Sequence, residues 1–94
     1  MVTAIVLINT HHGAINRVAE ALVELDGVSE VYSVGGRYDL VALIRVRTNE
    51  ELADLVTRRM LTLAEIANTE TLIAFKAYSR HDLERMFTIG SDNA

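Results

Sequence analysis

The stretch Ser33-Val34-Gly35-Gly36-Arg37-Tyr38-Asp39-Leu40 separates two apolar, β-rich runs, and its reading decides the fold. Paired glycines supply the positive φ that a tight turn needs, and they let a ligand or a second backbone come close. The run from about Val28 to Gly35 reads as one strand and the run from Tyr38 to about Arg47 as the next, so the turn closes a hairpin. Asp39 follows three residues after Gly36 and sets a carboxylate beside exposed main-chain N–H groups. Such N–H groups suit a carboxylate and Asp39 suits an ammonium. A zwitterionic small molecule is the ligand this pairing predicts.

Outward from the hairpin the pattern alternates between short strands and amphipathic helices. Val2 to Asn9 is β-branched and apolar, and Thr10-His11-His12-Gly13 breaks it. Ile15, Val18, Leu22 and Leu25 then recur at helical spacing, with Arg17, Glu20 and Glu24 on the outer face, until Asp26-Gly27 stops the helix. After the hairpin, Asn49 reads as an N-cap with Glu50 and Glu51 in the first turn, and Leu52, Leu55, Val56 and Met60 form a second stripe. A fourth strand is predicted from about Thr69 to Tyr78. Ser79 opens a short terminal helix, Arg80 to Phe87, whose Leu83, Met86 and Phe87 are apolar. The order β-α-β-β-α-β predicts an α+β, ferredoxin-like two-layer sandwich over residues 1–78, with residues 79–94 as a C-terminal helix and tail.

The strands fail to alternate. Ala4, Val6 and Ile8 would share one side of the first strand, yet Ile5 and Leu7 occupy the other; Leu40, Ala42 and Ile44 likewise oppose Val41 and Leu43. Helices cover one face of a two-layer sandwich, and a bare second face this apolar would be a large exposed patch. A homodimer joined through the sheet faces is the simplest cover.

Composition removes other classes of function. The chain has 94 residues, half of them apolar, which suits a single domain rather than a disordered segment. A formal charge of −4 with scattered arginines argues against direct nucleic-acid binding, which needs a basic stripe. The longest apolar runs are too short to cross a bilayer, and Met1-Val2-Thr3-Ala4 lacks the basic region of a signal peptide, so a cytoplasmic location is expected. No cysteine is present, which rules out disulfides and thiolate chemistry. His11-His12 could suggest a metal, but adjacent side chains diverge and no third ligand lies at suitable spacing, so neither metal nor cofactor is predicted.

The pattern Leu25-Asp26-Gly27-Val28, then Val31, then Gly35-Gly36-Arg37-Tyr38-Asp39-Leu40, then Thr69-Glu70-Thr71-Leu72-Ile73 resembles the effector-binding (RAM) domain of the leucine-responsive, or Lrp/AsnC, regulators. The resemblance covers roughly Thr3 to Tyr78 and is to the stand-alone form without a helix-turn-helix. It implies dimers that join through their sheets, further assembly of those dimers, and a free amino acid bound near their contacts. By position it implies effector contacts from Gly36, Tyr38 and Asp39 in the turn and from Thr69 and Thr71 in the fourth strand. It also implies a regulatory role, alone or mixed with a full-length regulator of the same family.

Two departures bear on the ligand: Ala64-Glu65-Ile66 replaces a common Pro-Gly-Val, and Arg37 stands where a small or acidic residue is common. Leu40, Leu72 and Ile73 favour an apolar effector. The competing class is a small dimeric α+β-barrel enzyme of the monooxygenase kind, since fold does not fix function. It would need acid/base or haem-ligating groups in a cleft, whereas the three histidines lie in one loop and near the C-terminus. A non-enzymatic module is therefore predicted.

Overall fold

The computed structural model describes residues 1–80. Its central strand, β1 (Val2–Thr10), pairs antiparallel with β3 (Leu40–Val46) on one side and β4 (Ile66–Ile73) on the other. β2 (Val28–Ser33) pairs with the far edge of β3, which completes a four-stranded sheet of order β2-β3-β1-β4. Helix α1 (Ile15–Val23) packs on β2 and β3, and α2 (Asn49–Asp54) on β3 and β1. This is the ferredoxin-like α+β arrangement that the element order predicts.

Two strands differ in extent from expectation. β3 starts at Leu40 and not Tyr38, although Asp39 still gives its N–H to the Ile8 carbonyl (2.9 Å) and its carbonyl accepts from Val34 N–H (3.0 Å). β4 begins at Ile66, opposite Thr10, and ends at Ile73. Ala74 N–H still donates to Thr3 O at 2.9 Å, but β1 begins at Val2 and offers little beyond. The terminal helix expected over Arg80 to Phe87 lies outside the described residues.

Strand parity puts the core between sheet and helices. Ala4, Val6, Ile8, Leu40, Ala42 and Ile44 are fully buried and meet Leu22, Leu55 and Met60 from the helix layer. The intervening residues Ile5, Leu7, Val41 and Leu43 form a half-buried outer face, with Ile5 opposite Leu43 and Leu7 opposite Val41. Leu72 joins them from β4, opposite Ile5. The apolar second face expected from the sequence is present, and among the described residues no helix lies over it.

The N-cap of α2 is Thr48, not Asn49. Thr48 is extended (φ −133°, ψ 160°), and its Oγ1 accepts from Glu51 N–H at 3.1 Å. Glu51 Oε2 in turn accepts from Arg47 N–H at 3.0 Å, so Thr48-Asn49-Glu50-Glu51 is a variant capping box. Thr48→Ala is expected to lower stability by about 1 kcal/mol, or about 4–8 °C in the unfolding midpoint measured by circular dichroism.

Beyond Asp54 the helix widens into one π turn, Leu55–Arg59, and tightens into a 3₁₀ turn, Met60–Thr62. Leu52, Leu55 and Met60 are the buried members. The step of five from Leu55 to Met60 would rotate Met60 off the core face of an ideal α-helix, and the wider turn brings it back.

Candidate functional site

Asp39 is held from three directions. Its backbone is pinned by Ile8 and Val34 as described, and its Oδ2 accepts from Thr10 N–H at 2.9 Å, with Thr10 Oγ1 3.4 Å away. The half-buried carboxylate is thus fixed in direction before any ligand arrives. A carboxylate offers about four lone-pair sites over two oxygens. The Thr10 contacts use one oxygen and leave acceptor capacity for an ammonium.

Around Asp39 lies an open groove of about 450 Å³, lined also by Gly13, Ile15, Asn16, Ser33 and Val34. It forms where the loop after β1 enters α1 and where β2 ends, so three separate elements converge on one carboxylate. Its volume falls within the range of small-molecule sites. Thr10, Gly13, Asn16 and Ser33 were not among the predicted contacts. The break Thr10-His11-His12-Gly13 was their available signal, because a loop that must enter α1 beside the hairpin mouth has to pass Asp39.

Tyr38 reaches sideways. Its hydroxyl donates to Glu70 Oε2 at 2.5 Å, tying the start of β3 to β4 across β1. The Glu70 hydrogen bond raises the Tyr38 phenol above its ordinary value of 10.0, helped by desolvation and by the Glu70 charge and opposed by Arg37. The bond to Glu70 therefore stabilises the fold below the ordinary tyrosine range and is lost as pH rises through the elevated value. Glu70→Gln is expected to bring Tyr38 ionisation back toward 10.0, read as an earlier rise of phenolate absorbance in an alkaline titration. On the neighbouring edge strand Tyr32 and Glu30 form a second tyrosine–carboxylate hydrogen bond.

Gly36 sits in the turn at φ +115°, with nothing within 4 Å of the position a Cβ would take. Thr69 and Thr71 stand opposite Ile8 and Val6, on the helix side of β4. From β4 to β3 the sheet spans two strand spacings, about 10 Å, and neither threonine lines the Asp39 groove. Of the five predicted contacts only Asp39 lines the groove: Gly36 stays in the turn, Tyr38 turns to Glu70, and Thr69 and Thr71 lie on β4.

The expected apolar surround is corrected. Leu40 is fully buried in the core, Leu72 lies on the outer face and Ile73 on the opposite one, so these three cannot form one pocket wall. Residue parity within a strand forces this separation. A larger groove of about 920 Å³ lies at the other end of the sheet, where Arg45, Arg47 and Arg59 mix with Asp26, Glu50 and Glu51. Among the described residues no cluster of three His, Asp or Glu could hold a metal ion, and no helix is long and apolar enough to cross a membrane.

Comparison with known proteins agrees with this architecture. Residues 3–83 match the Lrp/AsnC ligand binding domain, and the chain belongs to that family. The crystal structure of TTHA0845 from Thermus thermophilus is 51% identical, with a TM-score of 0.80 over 85% of this chain and 100% of that one. The structure of E. coli AsnC is 25% identical, with a TM-score of 0.78 over 83% of this chain and 53% of that one. The HTH-type transcriptional regulator YugG of Bacillus subtilis is 32% identical over 78 residues, which are 83% of this chain and 46% of YugG. The chain spans about half the length of the curated relatives it matches. Those relatives are named as transcriptional regulators.

Proposed function

We propose that this chain is a non-enzymatic, cytoplasmic sensor that binds a free amino acid at the Gly36–Asp39 turn and passes its occupancy on through assembly. The observation that carries the reading is Asp39, half-buried at a groove: Thr10 holds its carboxylate, while Ile8 and Val34 hold its backbone. Asp39 takes the effector ammonium, and the glycine-turn N–H groups take its carboxylate. A charge-assisted hydrogen bond of this kind contributes about 1.5–3 kcal/mol.

Thr69 and Thr71 enter the site from a neighbouring subunit or at a contact between dimers, since a single protomer keeps them apart from Asp39. The outer sheet face, with Ile5, Leu7, Val41, Leu43 and Leu72, joins two protomers, and dimers associate further. An effector alters that assembly to the extent that its affinity differs between states. The resulting partners are further copies of this chain or a full-length Lrp/AsnC regulator, consistent with the regulators among its relatives.

Thermal unfolding against each standard amino acid tests the reading. A ligand at a hundred times its Kd stabilises by about 2.7 kcal/mol, which for a domain of this size is about 10–20 °C. One or two amino acids are expected to give such a shift, and a flat panel overturns the reading.

A further inference from the structure

Glu65 holds the connection from β1 into α1 at two points. Its carbonyl accepts from His11 N–H at 2.8 Å, and its Oε1 accepts from Arg17 Nη1 at 2.9 Å. Between these anchors the chain folds back, with Ala14 N–H donating to His11 O at 3.1 Å, and passes Gly13 at φ +80°. Gly13, Ile15 and Asn16 all lie inside that span, and they form one wall of the groove around Asp39. Thr10, the residue before the first anchor, gives its N–H to the Asp39 carboxylate. One residue outside the groove thus fixes both ends of the segment that lines it.

Strand register brings Glu65 to this place. β1 and β4 pair Asn9 with Asn68 but Thr10 with Ile66, which leaves Ala67 without a partner. This bulge advances β4 by one residue, so Glu65 and not Ile66 stands beside His11. The turn Leu63–Ile66 is closed by Ile66 N–H to Leu63 O at 3.1 Å and fixes the Glu65 backbone. Glu65 also falls in Ala64-Glu65-Ile66, where the sequence departs from Pro-Gly-Val. A glycine at this position would keep the His11 bond but offer Arg17 no carboxylate.

We infer that Glu65, acting through Arg17, is a positioning residue for the Asp39 groove. The pair holds the first turn of α1 against the loop and so sets the wall that a ligand meets. The inference rests on the groove reading proposed above and adds a contact that lies outside the groove. The two side chains are 73% and 36% exposed, so solvent screens the pair and its effect on binding is a few-fold. A direct electrostatic effect on the ligand is separable by sign. Arg17→Ala removes a positive charge and Glu65→Ala a negative one, so a field acting on a bound zwitterion would shift Kd in opposite directions. Loss of the staple weakens binding in both.

Two measurements on Arg17→Ala, Glu65→Ala and the charge swap Arg17→Glu with Glu65→Arg test this. One is calorimetric titration with the amino acid that gives the largest thermal shift; the other is amide hydrogen exchange of the unliganded proteins. Both single variants are expected to raise Kd about three- to fivefold and to speed exchange at Thr10 and His11 by about the same factor. Exchange in β2 and β3 should stay unchanged, and the swap should restore both readouts. Kd shifts of opposite sign in the two single variants, or unchanged exchange at Thr10 and His11, overturn the inference. If no amino acid shifts the melting curve, the sensor reading falls, and the exchange rates still decide whether Glu65 positions the wall.

Discussion

Gly27→Ala is expected to unfold about 10–40 °C below the wild-type protein. Gly27 ends the turn from α1 into β2 at φ +95°, a conformation that costs an L-residue about 1–2 kcal/mol. A Cβ there would stand 2.8 Å from Val46 Cγ1 and 3.2 Å from Leu55 Cδ2. Both neighbours are core side chains, Leu55 fully buried, and Leu55 is also the first residue of the π turn. Overpacking of this kind costs about 1–3 kcal/mol more. The total of about 2–5 kcal/mol is a large fraction of a small domain's stability. Gly36→Ala is the matched control: its φ is also positive, but its Cβ would meet open space. It should lose only the backbone cost, and a larger loss at Gly36 than at Gly27 in thermal melts would contradict this packing account.

If two protomers join through their sheet faces as proposed, Leu43→Glu is expected to leave a folded monomer. Leu43 stands at the centre of the outer face, opposite both Ile5 of β1 and Glu30 of β2. In the isolated protomer that face meets water, so a carboxylate there leaves the core of Ala4, Val6 and Ile44 untouched. Against an apolar partner face the same carboxylate is desolvated without a counter-charge, at a cost of several kcal/mol. Two-fold symmetry imposes the cost twice. At about 3 kcal/mol per copy the Kd rises by more than about 10⁴-fold. Light scattering on dilute protein reads the change directly, and a Leu43→Glu protein that keeps the wild-type mass would count against the sheet-face assembly.

Much of this was legible in the sequence because it depends on periodicity and turn chemistry. Ala4, Val6 and Ile8 against Ile5 and Leu7 already announced a sheet apolar on both sides, and the order of elements followed from the breaks at His11-His12-Gly13, Asp26-Gly27 and Gly35-Gly36. The cap at Thr48 was legible too, as Thr48-x-x-Glu51, but Asn49 is an equally good capping residue by type and only backbone geometry separates them. The π turn was not legible, since Leu55 and Val56 both fit an α-helical stripe and the choice is made by how Met60 reaches the core.

At the candidate site, the Asp39 charge could be read from the turn, whereas its restraint by Thr10 could not. That contact spans 29 positions and depends on β1 and β3 lying side by side. The partition of Thr69 and Thr71 from Leu72 and Glu70 follows from strand parity once the register against β1 is known. Without the register, Thr69, Thr71 and Leu72 read as neighbours of one pocket.

If the Asp39 charge holds an amino acid, calorimetric titration of wild type and Asp39→Asn will separate the two proteins. Asparagine keeps a carbonyl oxygen for Thr10 N–H and removes only the charge, so the turn should survive where alanine would orphan that donor. With the amino acid that gives the largest thermal shift, wild type should bind and Asp39→Asn should weaken by at least about tenfold, at the low end of one charge-assisted hydrogen bond. Equal affinity in the two proteins, with both folded, would remove Asp39 from the site and contradict the account.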